Sequence, residues 1–382
     1  MQFPRIKFQT IEDGLARKDD NFLLLRVIAA SLVIYGHAPP IAGGYAPKDL
    51  FLMLGIGHYS GDLAVSLFFA ISGFLVTGSY VRRSNLVEFA WARALRLVPA
   101  YAVCLLALAY VVGPIFTIRP IGRYLTDPDT FHYFWKNIQF QPHMVWRLPD
   151  VFLANPKRAT VNGAIWTLPV EARMYLYAAL LGIVGLYRRR WLFNAAFVVA
   201  ITYGLLVAAE PSLALSAKGR LALMFAIGMF CYINRGWIPV SGIVLAALVG
   251  LSILLRGTPA YPAMLCVTLA YFALWFAYGT RWTGFNRFGD CSYGIYLWGW
   301  PVQQVFAALY PTMPALANAA LSLVVAAAIA SASWHWVEKP ALAFKGVPRA
   351  LWKRVSQRSA RGLETSDSRD AGAGAPTADD PR

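Results

Sequence analysis

Long runs of apolar residues alternate with short polar segments along almost the whole chain. A membrane-spanning helix needs about 20 predominantly apolar residues. Runs near that length lie at about 22–39, 62–80, 97–113, 165–187, 191–209, 219–234, 237–255, 261–279, 289–309 and 315–337. Two or three of them are short for a span. The pattern predicts an all-α integral membrane protein, a bundle of about ten transmembrane helices.

Composition favours a membrane protein over a soluble one. Of the 382 residues, 58% are hydrophobic and only 14% are charged, whereas soluble domains carry about 25% charged residues. The 13 Trp and 19 Tyr suit aromatic belts at the two membrane interfaces. The four cysteines lie in or beside apolar runs and lack metal-ligand spacing, so we expect no metal site.

Basic residues concentrate in the short loops of one side. Those loops hold ten, namely Arg82, Arg83, Arg93, Arg96, Arg188, Arg189, Arg190, Arg235, Arg281 and Arg287. The short loops of the other side hold four, namely Lys48, Lys218, Arg220 and Arg256. Because basic loops stay in the cytoplasm, both termini are predicted to be cytoplasmic. The net charge of +16 therefore follows topology, which argues against nucleic-acid binding.

Three regions follow from this pattern. Residues 1–21 form a cytoplasmic segment, 22–340 a membrane domain, and 341–382 a basic tail predicted to be disordered from about 356. The first segment is not a cleavable signal peptide, because the apolar run after it is too long. The long aromatic and Pro-rich loop 114–164 is predicted to face outward, where it either enters the interface or folds over the bundle.

The first apolar run, in the stretch RVIAASLVIYGH, contains two ionisable residues. Arg26 and His37 are eleven residues apart, so they share one helix face and lie about 16 Å apart along the axis. An ionisable residue that faces the inside of a bundle indicates function. The alternatives are that Arg26 snorkels to the inner interface and that His37 caps the outer one. We favour His37 as a general base.

Two further motifs bring charge to the membrane domain. RALR, in the loop before the third run, places Arg93 and Arg96 at i and i+3, where two guanidinium groups suit phosphate, although such loops are basic anyway. Glu171, in VNGAIWTLPVEARMY, is predicted about five residues into the membrane from the outer side. That is near the depth of His37, and a buried carboxylate needs a partner. The candidates are His37 and Arg173, although residues at i and i+2 do not face each other on a helix; a structural ion pair is the alternative.

Other polar residues are expected to be structural. Ser72 and Gly73 in FFAISGFL favour close helix packing. Glu338, in WHWVEKP, is expected to be an interface residue. Gln303 and Gln304, in SYGIYLWGWPVQQ, hydrogen-bond either a polar substrate or a neighbouring helix.

Five motifs occur in one order: the Arg-x10-His pair, SLFFAISGFL, RALRLVPAY, VNGAIWTLPVEARMY and SYGIYLWGWPVQQ. Together they resemble the acyltransferase 3 family of bacterial membrane O-acyltransferases, over about residues 20 to 340. The resemblance implies a multi-pass protein of the bacterial inner membrane. It implies transfer of an acyl group, usually acetyl from acetyl-CoA, to a hydroxyl of a carbohydrate or lipid-linked glycan, with no bound cofactor.

The resemblance also assigns residues. Arg26 and His37 match the family's Arg-x10-His pair, and Arg93 and Arg96 match its Arg-x-x-Arg motif. Many members have a histidine in a late YLWH-P motif, where this chain has Gly299, so we assign no catalysis there. The chain resembles the stand-alone class, without a fused esterase-like domain.

A mechanism that combines these inferences uses five residues. Arg93, Arg96 and Arg26 hold the phosphates of acyl-CoA at the inner side. His37 takes the proton of the acceptor hydroxyl, and Glu171 orients the imidazole. Direct transfer and an acyl-histidine intermediate are both left open.

Two other functions remain as alternatives. A transporter or flippase for a polar lipid or sugar also has intramembrane charges, but it should show paired half-repeats, and we find none. A structural partner of a polysaccharide synthase would leave the charged residues of the membrane domain dispensable.

Overall fold

The computed structural model describes residues 9–83, 85–209 and 216–349. These residues form helices and loops, with two isolated β-bridges and no β-strand. The all-α class is therefore confirmed for this part of the chain. The tail predicted to be disordered from about 356 lies outside the described residues, and so do residues 1–8.

Each predicted apolar run overlaps a helix of the described ranges. These helices are α1 Phe22–Ile41, α2 Ser60–Arg83, α3 Leu86–Ala107, α4 Leu168–Ile183, α5 Arg190–Ala209, α6 Ala217–Ile233, α7 Gly242–Leu254, α8 Tyr261–Gly279, α9 Ser292–Leu309 and α10 Ala315–Ser333. Shorter helices are Ile11–Ala16, Leu50–Met53, Gly113–Phe116, Ile121–Leu125, Pro128–Ile138 and Lys339–Ala343. Short 3-10 or π-helical turns are Leu108–Val112, Ala164–Thr167, Leu186–Arg188, Thr283–Phe288, Trp334–Glu338 and Phe344–Gly346.

Five helical stretches of the described part are long and apolar enough to cross a membrane. They are Phe22–Ile41, Ser60–Arg83, Leu86–Phe116, Tyr261–Gly279 and Ala315–Arg349. Two other apolar helical stretches, Arg190–Tyr203 within α5 and Gly242–Leu254, are shorter. The chain is thus a membrane protein by its helices, while the total of ten spans stays a prediction.

The helices run between two ends of the bundle. We call the end where α1 begins the basic face, since the ten predicted inner basic residues lie at or near it. The amino-terminal segment joins this face, because Ile11 donates its N–H to the carbonyl of Ile238 at 3.1 Å. The opposite end, which holds residues 114–164, is called the loop face. There Ala315 donates its N–H to the carbonyl of Tyr45 at 2.9 Å.

Helix α2 lies at the centre of the bundle and is buried along most of its length. It packs closely against α6 through two glycines. A Cβ on Gly73 would lie 2.0 Å from the carbonyl oxygen of Phe225, and one on Gly228 would lie 2.1 Å from that of Ala70. Only glycine permits these contacts, so the predicted packing role of Gly73 is confirmed.

The segment between α3 and α4 folds over the loop face, and its end enters the bundle. Helix Pro128–Ile138 packs against α3. Further on, Asn162 Nδ2 donates to the carbonyl of Leu297 at 3.0 Å, and the hydroxyls of Thr167 and Tyr296 lie 2.6 Å apart. Residues 160–167 thus descend beside α9, and α4 begins inside the bundle. The structure thus shows the contact with the bundle that one of the two alternatives for this loop predicts.

Candidate functional site

A cavity of about 100 Å³ lies between α1, α2, α3, α4 and α9, toward the basic face. We call it the arginine cavity. The side chains that give it its chemistry are Arg26, Arg93, Arg96, Glu171, Tyr175 and Tyr296. Four of the five predicted site residues therefore meet around one space.

The RALR motif lies inside α3, which corrects its predicted position in a loop. The side chain of Asn85 accepts a hydrogen bond from the N–H of Glu88 and so caps a helix that begins at Leu86. About three turns that mix charged and apolar residues therefore precede the apolar run, and hydropathy alone does not detect them. The spacing of i and i+3 then places Arg93 and Arg96 on one side of the helix, and both line the arginine cavity.

Two of the three arginines are neutralised by acidic side chains. Asp290 Oδ2 lies 2.7 Å from Arg26 Nη1 and 2.6 Å from Arg96 Nη2, and Glu338 Oε2 lies 3.2 Å from Arg96 Nη1. Burial opposes the charge of Asp290, but the two arginines lower its pKa below the usual range. Arg26 therefore points into the bundle instead of snorkelling to the interface.

Sequence reasoning missed both of these acidic partners. Asp290 is a single carboxylate in a basic loop, a signal too weak to single out. Glu338 was expected to be an interface residue, yet its side chain is buried and pairs with Arg96.

Arg93 differs from the other two arginines. No carboxylate of the described residues lies within 4.0 Å of its guanidinium. Its Nε is buried without a hydrogen-bond partner there, and its Cζ lies 5.7 Å from the centre of the Tyr175 ring. A buried guanidinium with a free donor suits an anionic ligand such as phosphate.

Glu171 is held by α2 and by its own helix. Its Oε1 accepts a hydrogen bond from Ser72 Oγ at 3.2 Å and another from Tyr175 Oη. Arg173, one of its two expected partners, instead donates from Nε to the carbonyl of Pro169 at 3.0 Å. Ser72, which was expected only to pack, is therefore a polar member of the arginine cavity.

The expected contact between Glu171 and His37 is not made, because the two residues lie at different depths. Gly36, beside His37, packs against Ser60 at the start of α2. Glu171 contacts Ser72, which is twelve residues further along α2 and hence about 18 Å deeper. The sequence misplaces Glu171 because VNGAIW, which resembles the outer end of a span, in fact leads into α4 from within the bundle.

His37 lines a second cavity, of about 550 Å³, near the loop face. We call it the histidine cavity. Its polar and aromatic lining comes from His37, Lys48, Asp49, Tyr59, Lys157 and Trp300. The volume falls within the range of about 300–1,000 Å³ that small-molecule sites occupy. Among the described residues, no three His, Cys, Asp or Glu side chains are grouped as metal ligands.

The imidazole of His37 packs edge-on against the indole of Trp300, with ring centres 4.8 Å apart, and lies 6.3 Å from the ring of Tyr59. Its Nδ1 is buried and has no hydrogen-bond partner among the described residues. No neighbour in that part of the chain therefore fixes which ring nitrogen carries the proton. Unpaired buried polar atoms of this kind are uncommon, and a bound substrate would complete them.

Two prolines follow His37 within α1. Because Pro39 and Pro40 have no N–H, the carbonyls of Tyr35 and Gly36 lose their usual helical donors. Of these two residues, Gly36 lies in the lining of the histidine cavity, next to the imidazole.

The two cavities approach each other along α9. Tyr296 lines the arginine cavity and Trp300 lines the histidine cavity, and they are one helical turn, about 6 Å, apart. The Tyr296 hydroxyl donates to the carbonyl of Ala164 at 2.5 Å and accepts from Thr167. We call Tyr296, Ala164 and Thr167 the partition between the cavities.

Gly299, at the position of the family's late histidine, packs directly on α1. A Cβ there would lie 2.6 Å from Ile34 Cγ1, closer than carbon atoms pack, so an imidazole has no room. Gln303, one turn further, donates from Nε2 to the carbonyl of Ile34 at 2.8 Å. Of the two expectations for Gln303, the structure shows a contact with a neighbouring helix.

Comparison with known proteins gives this geometry a context. A family model described as an acyltransferase domain matches residues 20–335. The chain is similar to the O-acetyl transferase of Shigella phage Sf6, with 25% identity over 358 residues, covering 84% of this chain and 96% of that protein. It is also similar to Nodulation protein 10 of Rhizobium leguminosarum bv. viciae, with 28% identity over 372 residues, covering 85% and 93%. No solved structure matches the chain. The chain therefore belongs to the acyltransferase 3 family, as the order of its motifs predicts, and it is an O-acyltransferase of the membrane.

Proposed function

We propose that this O-acyltransferase moves an acyl group, acetyl in the simplest case, from acyl-CoA to a hydroxyl of a cell-surface or exported carbohydrate. The observation that carries this proposal is the pair of cavities. One is lined by arginines toward the basic face, the other by His37 toward the loop face, and their walls are one helical turn apart. Such a geometry suits a donor and an acceptor that arrive from opposite sides of a membrane.

The proposal places the basic face and both termini in the cytoplasm, in a bacterial inner membrane that the chain crosses about ten times. The bias of ten basic residues against four in the short loops supports this orientation. Acyl-CoA is made in the cytoplasm, so donor and arginines then share one side.

In the arginine cavity, Arg93 is the group proposed to bind the donor through a phosphate. Arg26 and Arg96 both pair with Asp290 and add to the positive electrostatic potential around Arg93. A cavity of about 100 Å³ holds an acyl group or a few waters, not a whole acyl-CoA. Only the phosphate that joins the pantetheine arm is therefore proposed to reach Arg93, while the rest of the nucleotide stays at the basic face.

In the histidine cavity, His37 is proposed to act as the general base. It takes the proton of the acceptor hydroxyl while that oxygen attacks the thioester carbonyl, and the departing CoA thiolate receives the proton. Glu171 lies too deep to orient the imidazole. Glu171 belongs instead to the arginine cavity, where Tyr175 lies between its carboxylate and the guanidinium of Arg93. Family membership argues against the transporter and synthase-partner alternatives.

The test measures ester-linked acetyl on the surface glycans of cells that lack this gene and compares it between complemented strains. The cells are complemented with wild type, His37→Ala or His143→Ala at equal membrane expression. His143, an exposed histidine of the loop face, is the matched control. We expect wild type and His143→Ala to restore the acetyl, and His37→Ala to fail. If all three restore the acetyl, His37 is not the general base. If none restores it, the protein does not transfer acetyl from acyl-CoA to a surface carbohydrate.

A further inference from the structure

The lining of the histidine cavity includes two positively charged side chains that form no ion pair with the described residues. Lys48, in the loop after α1, and Lys157, near the end of the 114–164 segment, both line it. Neither has a carboxylate of the described residues within 4.0 Å. Asp49 is the one acidic residue of the lining, and its carboxylate oxygens already accept hydrogen bonds from other residues. It accepts from Ser60 Oγ at 2.6 Å and from the N–H of Phe51 at 2.9 Å.

The backbone that presents each lysine is fixed by buried hydrogen bonds. Gln304, which is fully buried, donates from Nε2 to the carbonyl of Lys157 at 2.9 Å. Asn155, also buried, donates to Gln304 Oε1 at 2.9 Å. Asp49, adjacent to Lys48, is held by the contacts described above. The backbone position of each lysine is therefore fixed, although the side chains themselves are exposed.

Two arginines elsewhere on the loop face are neutralised within the protein. Arg220 Nη2, at the start of α6, lies 3.0 Å from Asp62 Oδ1. Arg119 pairs with Asp127 and with Asp150, the latter at 2.6 Å. Lys48 and Lys157 differ from these two arginines in having no such ion pair among the described residues, and in lining a cavity.

We infer that the acceptor carries an acidic group, a carboxylate or a phosphate, beside the hydroxyl that receives the acyl group. This inference rests on the proposed function, which places the acceptor in the histidine cavity. Trp300 and Tyr59 add aromatic surface to the lining, which suits the apolar side of a sugar. Lys48 and Lys157 bind the acid by charge-assisted hydrogen bonds. The position of the acid then selects which hydroxyl meets His37.

The first measurement is binding without a donor, on the full-length protein in lipid nanodiscs. The probes are methyl glucuronoside, its neutral counterpart methyl glucoside, and glucose 1-phosphate. We expect one or both acidic probes to bind with a Kd at least about tenfold below that of the glucoside. The advantage should shrink above about 0.1 M salt, because exposed lysines are screened. The stronger acidic probe distinguishes a carboxylate-bearing from a phosphate-bearing acceptor.

Variants assign the preference to these lysines. The double substitution Lys48→Gln and Lys157→Gln should abolish it, whereas Lys157→Arg should keep it. Arg158→Gln, which removes the exposed cation next in sequence that does not line the cavity, should leave it unchanged.

Three results of the binding assay would overturn the inference: equal affinity for acidic and neutral probes, no binding by any probe at millimolar concentration, or a preference that survives the double substitution. The assay contains no acyl-CoA, so its outcome is separate from that of the transfer test. Acylation of a neutral glycan would refute the acidic acceptor while leaving the proposed function intact.

Discussion

At the scale of single residues, the three arginines of one cavity have different surroundings and therefore different expected effects. Arg26 and Arg96 are bound to Asp290, and Arg96 also to Glu338. Removing Arg96 leaves Glu338 without its ion-pair partner, and an unpaired buried charge commonly costs about 3–5 kcal/mol. Arg93 has no such partner among the described residues, so its removal breaks no ion pair there.

We therefore expect Arg93→Ala to raise the KM for acyl-CoA about tenfold, the value of a charge-assisted hydrogen bond to phosphate. The KM for the acceptor and the thermal unfolding temperature should stay near those of wild type. Arg96→Ala is the matched control and should lower the unfolding temperature. Initial rates at varied donor concentration, with thermal unfolding of each variant, check both statements. A change confined to the acceptor KM would count against a donor role for Arg93.

Sequence reasoning placed the individual charged residues better than their partners. Arg26 and His37 do lie on one helix, because an eleven-residue spacing within an apolar run leaves little freedom. The predicted contact between Glu171 and His37 was wrong, because it depends on the depth at which α4 begins. Asp290 was missed because one carboxylate in a basic loop has no local pattern.

At the scale of elements, the contact between α9 and α1 depends on the absence of a side chain at position 299. Apolar periodicity gave both helices, but a pattern of hydrophobic residues does not show how closely two helices approach. The same limit applies to α3 and α4. Their true starts depend on the Asn85 cap and on a segment that enters the bundle, and neither changes the hydropathy of the run.

Gly299→Ala should destabilise the protein by about 1–3 kcal/mol, as overpacking of a filled core does. Ile34→Ala removes the atom that the new Cβ would meet. The double variant should therefore lose about 1 kcal/mol less than the sum of the two single variants. Gly284→Ala, at a glycine with open space around it, should have little effect. Thermal unfolding of wild type, the two single variants and the double variant forms the cycle, with Gly284→Ala measured as the control. Strict additivity would contradict the contact.

At the scale of the whole molecule, the two cavities and the partition between them divide the protein into two sides. The bias of basic residues predicts which side faces the cytoplasm, and the order of five motifs predicts the family. Neither indicates that His37 and the arginines line separate spaces. That separation arises from the entry of residues 160–167 beside α9, a long-range contact that follows from no local sequence rule.

The orientation of these sides can be measured by labelling single cysteines in intact cells. The four native cysteines are first replaced; three of them are buried. Lys157→Cys, at the histidine cavity, should react with a membrane-impermeant maleimide in intact cells. Arg281→Cys, an exposed position of the basic face, should react only after the membrane is opened. The reverse pattern would invert the topology and place the arginine cavity away from cytoplasmic acyl-CoA, so that a donor from that side could not reach Arg93.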